Sequence, residues 1–120
     1  MRFIFMDDSE TAHLQDMLDH IRILEGFLQG VDKPEFFSDL EKQFAVARAL
    51  GIIGEASARL SEKFRGNHTE IDWRALKSMR NLLVHEYAYV DTEEVWKACE
   101  FDVPDLKQKV AAILSSPQVP

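Results

Sequence analysis

The chain has 120 residues, 46% of them hydrophobic, which is enough to bury one continuous core and is the usual size of a single domain. Its formal net charge of -7 argues against broad coating of nucleic acid, because phosphate affinity comes from Lys and Arg, so any RNA contact must be local. One cysteine, Cys99, excludes an intrachain disulfide and a multi-thiolate zinc site and suits a reducing compartment, so the expectation is one cytoplasmic domain over residues 1–120.

The opening MRFIFM is too short for the apolar region of a signal peptide, and no later run approaches the roughly 18 apolar residues that span a bilayer. Leu14, Met17, Leu18, Ile21, Leu24 and Leu28 then recur at steps of three and four, which predicts an amphipathic helix from about Ser9 to Gln29, ended near Gly30. A break is expected at Val31, Asp32, Lys33 and Pro34. Ser38 with Glu41 reads as a capping box that opens a second long helix through about Phe64, stopped by Gly66 and Asn67. Gly51 and Gly54 weaken that helix locally, a cost that points to close contact with a neighbour.

Asp72 can cap a third helix running to about His85 or Tyr87, with Ala75, Leu76, Met79, Leu82 and Leu83 as its apolar set. Asp91 with Glu94 repeats the capping pattern for a short helix over Val95 to Phe101, and Pro104 sits where a final helix to Leu114 would start. The tail SSPQVP, residues 115–120, is expected to fray. No stretch alternates with period two and no internal repeat is present, so the expected fold is all-α, an up-and-down bundle of four to five helices.

The third helix carries the chemistry. Taking Arg80 as zero at about 100° per residue, Lys77 falls near 60°, Asn81 near 100°, Arg74 near 120° and His85 near 140°. Cations, an amide and an imidazole thus share one arc, interrupted by Trp73 and Val84, which an interface could bury. Cutting RNA without a metal needs a base for the 2'-hydroxyl, donors for the phosphate and positive charge for the pentacoordinate transition state. An imidazole titrating near ~6.5 and a guanidinium that stays charged supply these, and Asn81 could fix the His85 tautomer or bind substrate. The same arc is also compatible with an ordinary solvated helix face.

Glu55 stands in the apolar stretch IIGEA, where it either pairs with Arg80 or another cation or is a plain exposed carboxylate. His13, Asp16 and His20 share one side of the first helix, but their spacing matches no short metal motif, so no metal is expected there.

Residues 80–87 spell RNLLVHEY, and this stretch resembles the Arg, four residues, His, any residue, Tyr signature of the HepT-like ribonucleases in the HEPN superfamily. IIGEA at 52–56, IDWR at 71–74, Val90 with Asp91, and Val95 with Trp96 are similar to further family features, so the resemblance covers residues 39–105. It implies a HEPN-type bundle, a homodimer that brings two motif helices together across a cleft, and RNA cleavage by Arg80 and His85 without metal or cofactor. It also implies a toxin whose partner, a minimal nucleotidyltransferase antitoxin, silences it by transferring AMP from ATP onto the motif tyrosine, Tyr87 rather than Tyr89. Two other readings stay open: a non-catalytic helical module that dimerises and supports the transferase, and a metal enzyme built on His13 and His20.

Overall fold

In a computed structural model of the chain, residues 8–81 and 91–116 are described, and every regular element among them is a helix. Helix α1 (Asp8–Leu28) buries Leu14, Met17, Leu18, Ile21 and Leu24, the stripe that its three- and four-residue spacing dictates. It ends where Gly30 adopts a φ of 74°, a left-handed conformation that a side chain would strain.

The expected break at 31–34 is instead the start of a helix, α2 (Lys33–Phe37). The Asp32 carboxylate accepts the Glu35 amide at 2.9 Å, and Pro34 falls in the first turn, where a missing N–H costs nothing. Ser38 closes this helix rather than opening the next, its hydroxyl donating to the Glu35 carbonyl at 3.0 Å. Asp39 caps α3 (Leu40–Ala58) by accepting the Lys42 amide at 3.1 Å, one residue beyond the expected capping box.

Helix α3 is the centre of the bundle, in contact with α1, α2, α5 and α6. Val46, Ala47, Ala49, Leu50, Gly51, Ile53, Gly54 and Ala56 are buried around much of its circumference, as a helix enclosed by neighbours requires. The buried Gln43 side chain of α3 is satisfied: the amide donates to the carbonyls of Phe36 at 3.0 Å and Phe37 at 3.1 Å and accepts from the Thr92 hydroxyl at 3.1 Å. The second long helix expected to reach Phe64 stops at Ala58, because Ser61 caps a separate helix, α4 (Glu62–Asn67), through the Phe64 amide at 3.0 Å.

Helix α5 (Trp73–Asn81) starts as expected, with the Ala75 amide donating to the Asp72 carboxylate at 3.0 Å. Asp91 caps α6 (Thr92–Lys97) by accepting from Glu94 at 3.2 Å. The two separate C-terminal helices expected around Pro104 are one continuous rod: a π-turn over Ala98–Asp102 joins α6 to α7 (Val103–Ser115). There the Val103 amide reaches back to the Ala98 carbonyl, and Pro104 follows within the first turn of α7, where its ring is tolerated. The described residues form an all-α bundle, compatible with the HEPN type that the resemblance implies. No helix among the described residues is long and apolar enough to cross a membrane.

Cys99 lies half-buried on the π-turn against the core, and burial pushes its thiol up to about 12. The thiolate is the reactive species, so native protein should react with a thiol-specific disulfide reagent on the order of a hundredfold more slowly than the denatured chain. Equal rates in the two states would show that this burial is absent in solution.

Candidate functional site

The described part of helix α5 is polar, and within it the buried side chains of Leu76 and Met79 and one unusually close approach hold it in place. A Cβ built on Gly54 of α3 would lie 2.7 Å from the Arg80 Cβ, 2.8 Å from its backbone nitrogen and 2.9 Å from its Cα. Glycine is thus required at position 54 for the backbones of α3 and α5 to touch at Arg80. The contact fixes the backbone of Arg80 while its side chain remains exposed.

Beside this contact is a cleft of about 310 Å³ lined by Gly54, Ser57, Ala58, Arg65, Trp73, Lys77 and Arg80. Lys77 and Arg80 come from one face of α5, as the helical wheel requires. Arg65, a residue that periodicity did not single out, enters from the last turn of α4 and donates a long hydrogen bond of 3.5 Å to the Ala58 carbonyl. None of the three cations forms an ion pair with another described residue. The Trp73 ring is set by its own chain: its N–H donates to the His68 carbonyl at 3.0 Å, and Phe64 packs edge-on with centroids 6.2 Å apart.

Arg74 is not part of this cleft. It lines a second one, of about 330 Å³, on the other side of α5 with Asp72, Ser78, Glu94 and Asp102. Asn81 is exposed at the end of the described part of α5. Glu55 is exposed on α3 and makes no ion pair with Arg80 or any other described residue. His13, Asp16 and His20 do not form a metal-ligand group, and the His20 Nδ1 lies 2.8 Å from the Asp16 carbonyl. His85, Tyr87, Tyr89 and Val84 lie outside the described residues.

The family profile described as "Ribonuclease HepT-like" matches residues 17–113, a span that holds α3, the cleft and α5. The chain belongs to the ribonuclease HepT-like family. It is 40% identical over 104 residues to the "Probable ribonuclease HepT" of Thermococcus cleftensis, covering 87% of this chain and 94% of that one. A second relative, from Methanocaldococcus jannaschii, carries an RNase name and is 34% identical over 102 residues, 85% of this chain and 94% of its own. No solved structure matches.

This HepT-like ribonuclease therefore presents two clefts of opposite character on either side of α5. In the acidic one, burial raises the Asp102 carboxyl above its usual range, with added repulsion from Asp72, Asp105 and Glu94. A carboxylate with a raised folded-state value costs stability wherever it is ionised, and that cost is relieved as pH falls through the raised value. Asp102 makes no side-chain capping bond. Asp102→Asn should therefore raise the melting temperature at pH 7, with the gain shrinking as the pH approaches 4. A gain that is the same at both pH values would assign it to something other than charge.

Proposed function

We propose that this HepT-like ribonuclease is a metal-independent endoribonuclease that cuts cellular RNA with Arg80 and His85. The single observation that supports this most is the basic cleft at Arg80: cations without a lining carboxylate among the described residues, on a chain of this family whose net charge is -7. Phosphate binding on such a chain has to be local, and this cleft is local.

In the proposed step His85 takes the proton from a ribose 2'-hydroxyl, and the 2'-oxygen attacks the adjacent phosphorus. The bond to the 5'-oxygen breaks, and that oxygen receives the proton back from the imidazole. The products are a 2',3'-cyclic phosphate and a 5'-hydroxyl, and neither a metal nor a cofactor enters the balance. Arg80 holds the phosphate oxygens and stays charged as the pentacoordinate transition state gains negative charge. Asn81 orients His85 or the substrate; Lys77 adds positive field.

The working unit in this reading is a cytoplasmic homodimer whose two α5 helices face one cleft. Its regulator is a minimal nucleotidyltransferase antitoxin that transfers AMP from ATP onto Tyr87, which would put a phosphate diester into the field meant for substrate and block it. The test is incubation of protein with bare Tyr87, checked by mass spectrometry, with total cellular RNA in EDTA. Cleavage leaving cyclic phosphate ends supports the reading. Intact RNA would transfer the function to the non-catalytic module that dimerises and serves the transferase.

A further inference from the structure

The position of Arg65 is explained neither by the Arg80 and His85 chemistry nor by folding alone. It sits on α4, a different helix from the motif residues, yet lines the same cleft as Lys77 and Arg80. Its bond to the Ala58 carbonyl is long, at 3.5 Å, so most of the guanidinium's donors are available to a ligand. The cleft is lined by Trp73, Lys77 and Arg80 of α5 and by Arg65 of α4. Its floor is small and close-packed: Gly54, Ser57 and Ala58, with the Ser57 hydroxyl already committed to the Gly54 carbonyl at 2.7 Å. One wall is an indole held in place by His68 and Phe64.

Cations from two helices, a fixed aromatic ring and no lining carboxylate among the described residues suit one unpaired nucleotide, its phosphate held by Arg65 and Lys77 and its base toward Trp73. We propose that this cleft binds the nucleotide next to the scissile one in single-stranded RNA, with Arg65 gripping its phosphate. Arg65 is then an affinity residue that acts on the substrate's neighbouring phosphate, while Arg80 acts at the reacting one. The inference rests on the nuclease reading for its orientation but predicts binding that is separable from cleavage. It also explains how a chain of charge -7 holds a polyanion: the contacts gather on one side of α5, away from the acidic cleft of Asp72, Glu94 and Asp102.

The test is fluorescence anisotropy with a labelled 2'-O-methyl oligoribonucleotide, which has no free 2'-hydroxyl and cannot be cut by the proposed route. Binding is measured at several salt concentrations for the parent, Arg65→Ala, Arg65→Lys, Lys77→Ala and, as a charge-matched control on an exposed face of α1, Arg22→Ala. Arg65→Ala and Lys77→Ala should each weaken binding about tenfold at low salt. Each should also reduce the log–log salt slope by about 0.7, the share of one single-strand phosphate contact. Arg65→Lys should keep the slope, and Arg22→Ala should match the parent.

On cleavable RNA, Arg65→Ala should raise KM and keep kcat. An Arg65→Ala variant that loses melting temperature but binds like the parent would make Arg65 a structural cap of α3 and overturn the proposal. So would a parent that does not bind the oligonucleotide. If the binding pattern holds but no variant, and not the parent, cuts RNA, the subsite stands and the nuclease reading falls.

Discussion

Replacing His85 or Arg80 with alanine should lower RNA cleavage by about 100- to 10,000-fold each, the usual contribution of a positioned acid–base group or of a preorganised charge at a transition state. For Arg80 the structure makes this a clean experiment. Its Cβ is the side-chain atom that meets Gly54, and alanine keeps that atom, while the exposed remainder of the side chain packs little. The variant should therefore melt within a few degrees of the parent. Arg80→Lys should recover only part of the loss, because an ammonium cannot grip two phosphate oxygens in the planar, forked way that a guanidinium does. The double variant should be little worse than either single one, since residues that act as one unit are not additive. A folded His85→Ala enzyme with parental rates in EDTA would remove the imidazole from the mechanism.

The parts of this molecule that were legible in the chain are those where one element decides its own fate. The apolar stripe of α1, the Asp72 cap of α5 and the Asp91 cap of α6 depend on residues within a turn or two, and each is found where local chemistry puts it. Where two local signals compete, local spacing misplaces the boundary. Ser38 and Asp39 are both good caps, and the choice between them was made by Ser38 closing α2, a helix hidden because Pro34 reads as a breaker unless Asp32 is recognised as its cap. The π-turn at Ala98–Asp102 has no periodicity signal at all; it lets one helix pass through the place where Pro104 suggests a restart.

The site shows the same division more sharply. A helical wheel places Arg74, Lys77, Arg80 and Asn81 on one arc but says nothing about what stands against each edge of it. In the fold, α3 and α4 border the edge with Lys77 and Arg80, while Asp72, Glu94 and Asp102 border the edge with Arg74. Arg74 and Lys77, about 60° apart on the wheel, therefore belong to clefts of opposite charge. Arg65 could be found only from tertiary structure, because its partners on α5 are reached through space and not through spacing.

Gly54 is the residue on which fold and site depend together, and Gly54→Ala should damage both. The new methyl would stand 2.7–2.9 Å from three atoms of Arg80, two of them backbone, so no side-chain rotation can relieve the clash and α5 must move away from α3. Overpacking of this kind costs about 1–3 kcal/mol, against a helix-propensity gain of about 1 kcal/mol from removing a mid-helix glycine. The net loss should be about 0–2 kcal/mol. The larger effect falls on activity, since a displacement of Arg80 by about an ångström is enough to cost on the order of a hundredfold in rate. Gly26 supplies the control: it lies within α1 with nothing inside 4 Å of an added Cβ, so Gly26→Ala should gain about 0.5–1 kcal/mol and leave cleavage untouched. Thermal melts and cleavage rates on the two variants separate the outcomes. If Gly54→Ala is as stable and as active as Gly26→Ala, then α3 and α5 do not touch at Arg80 in solution, and the placement of the basic cleft falls with that contact.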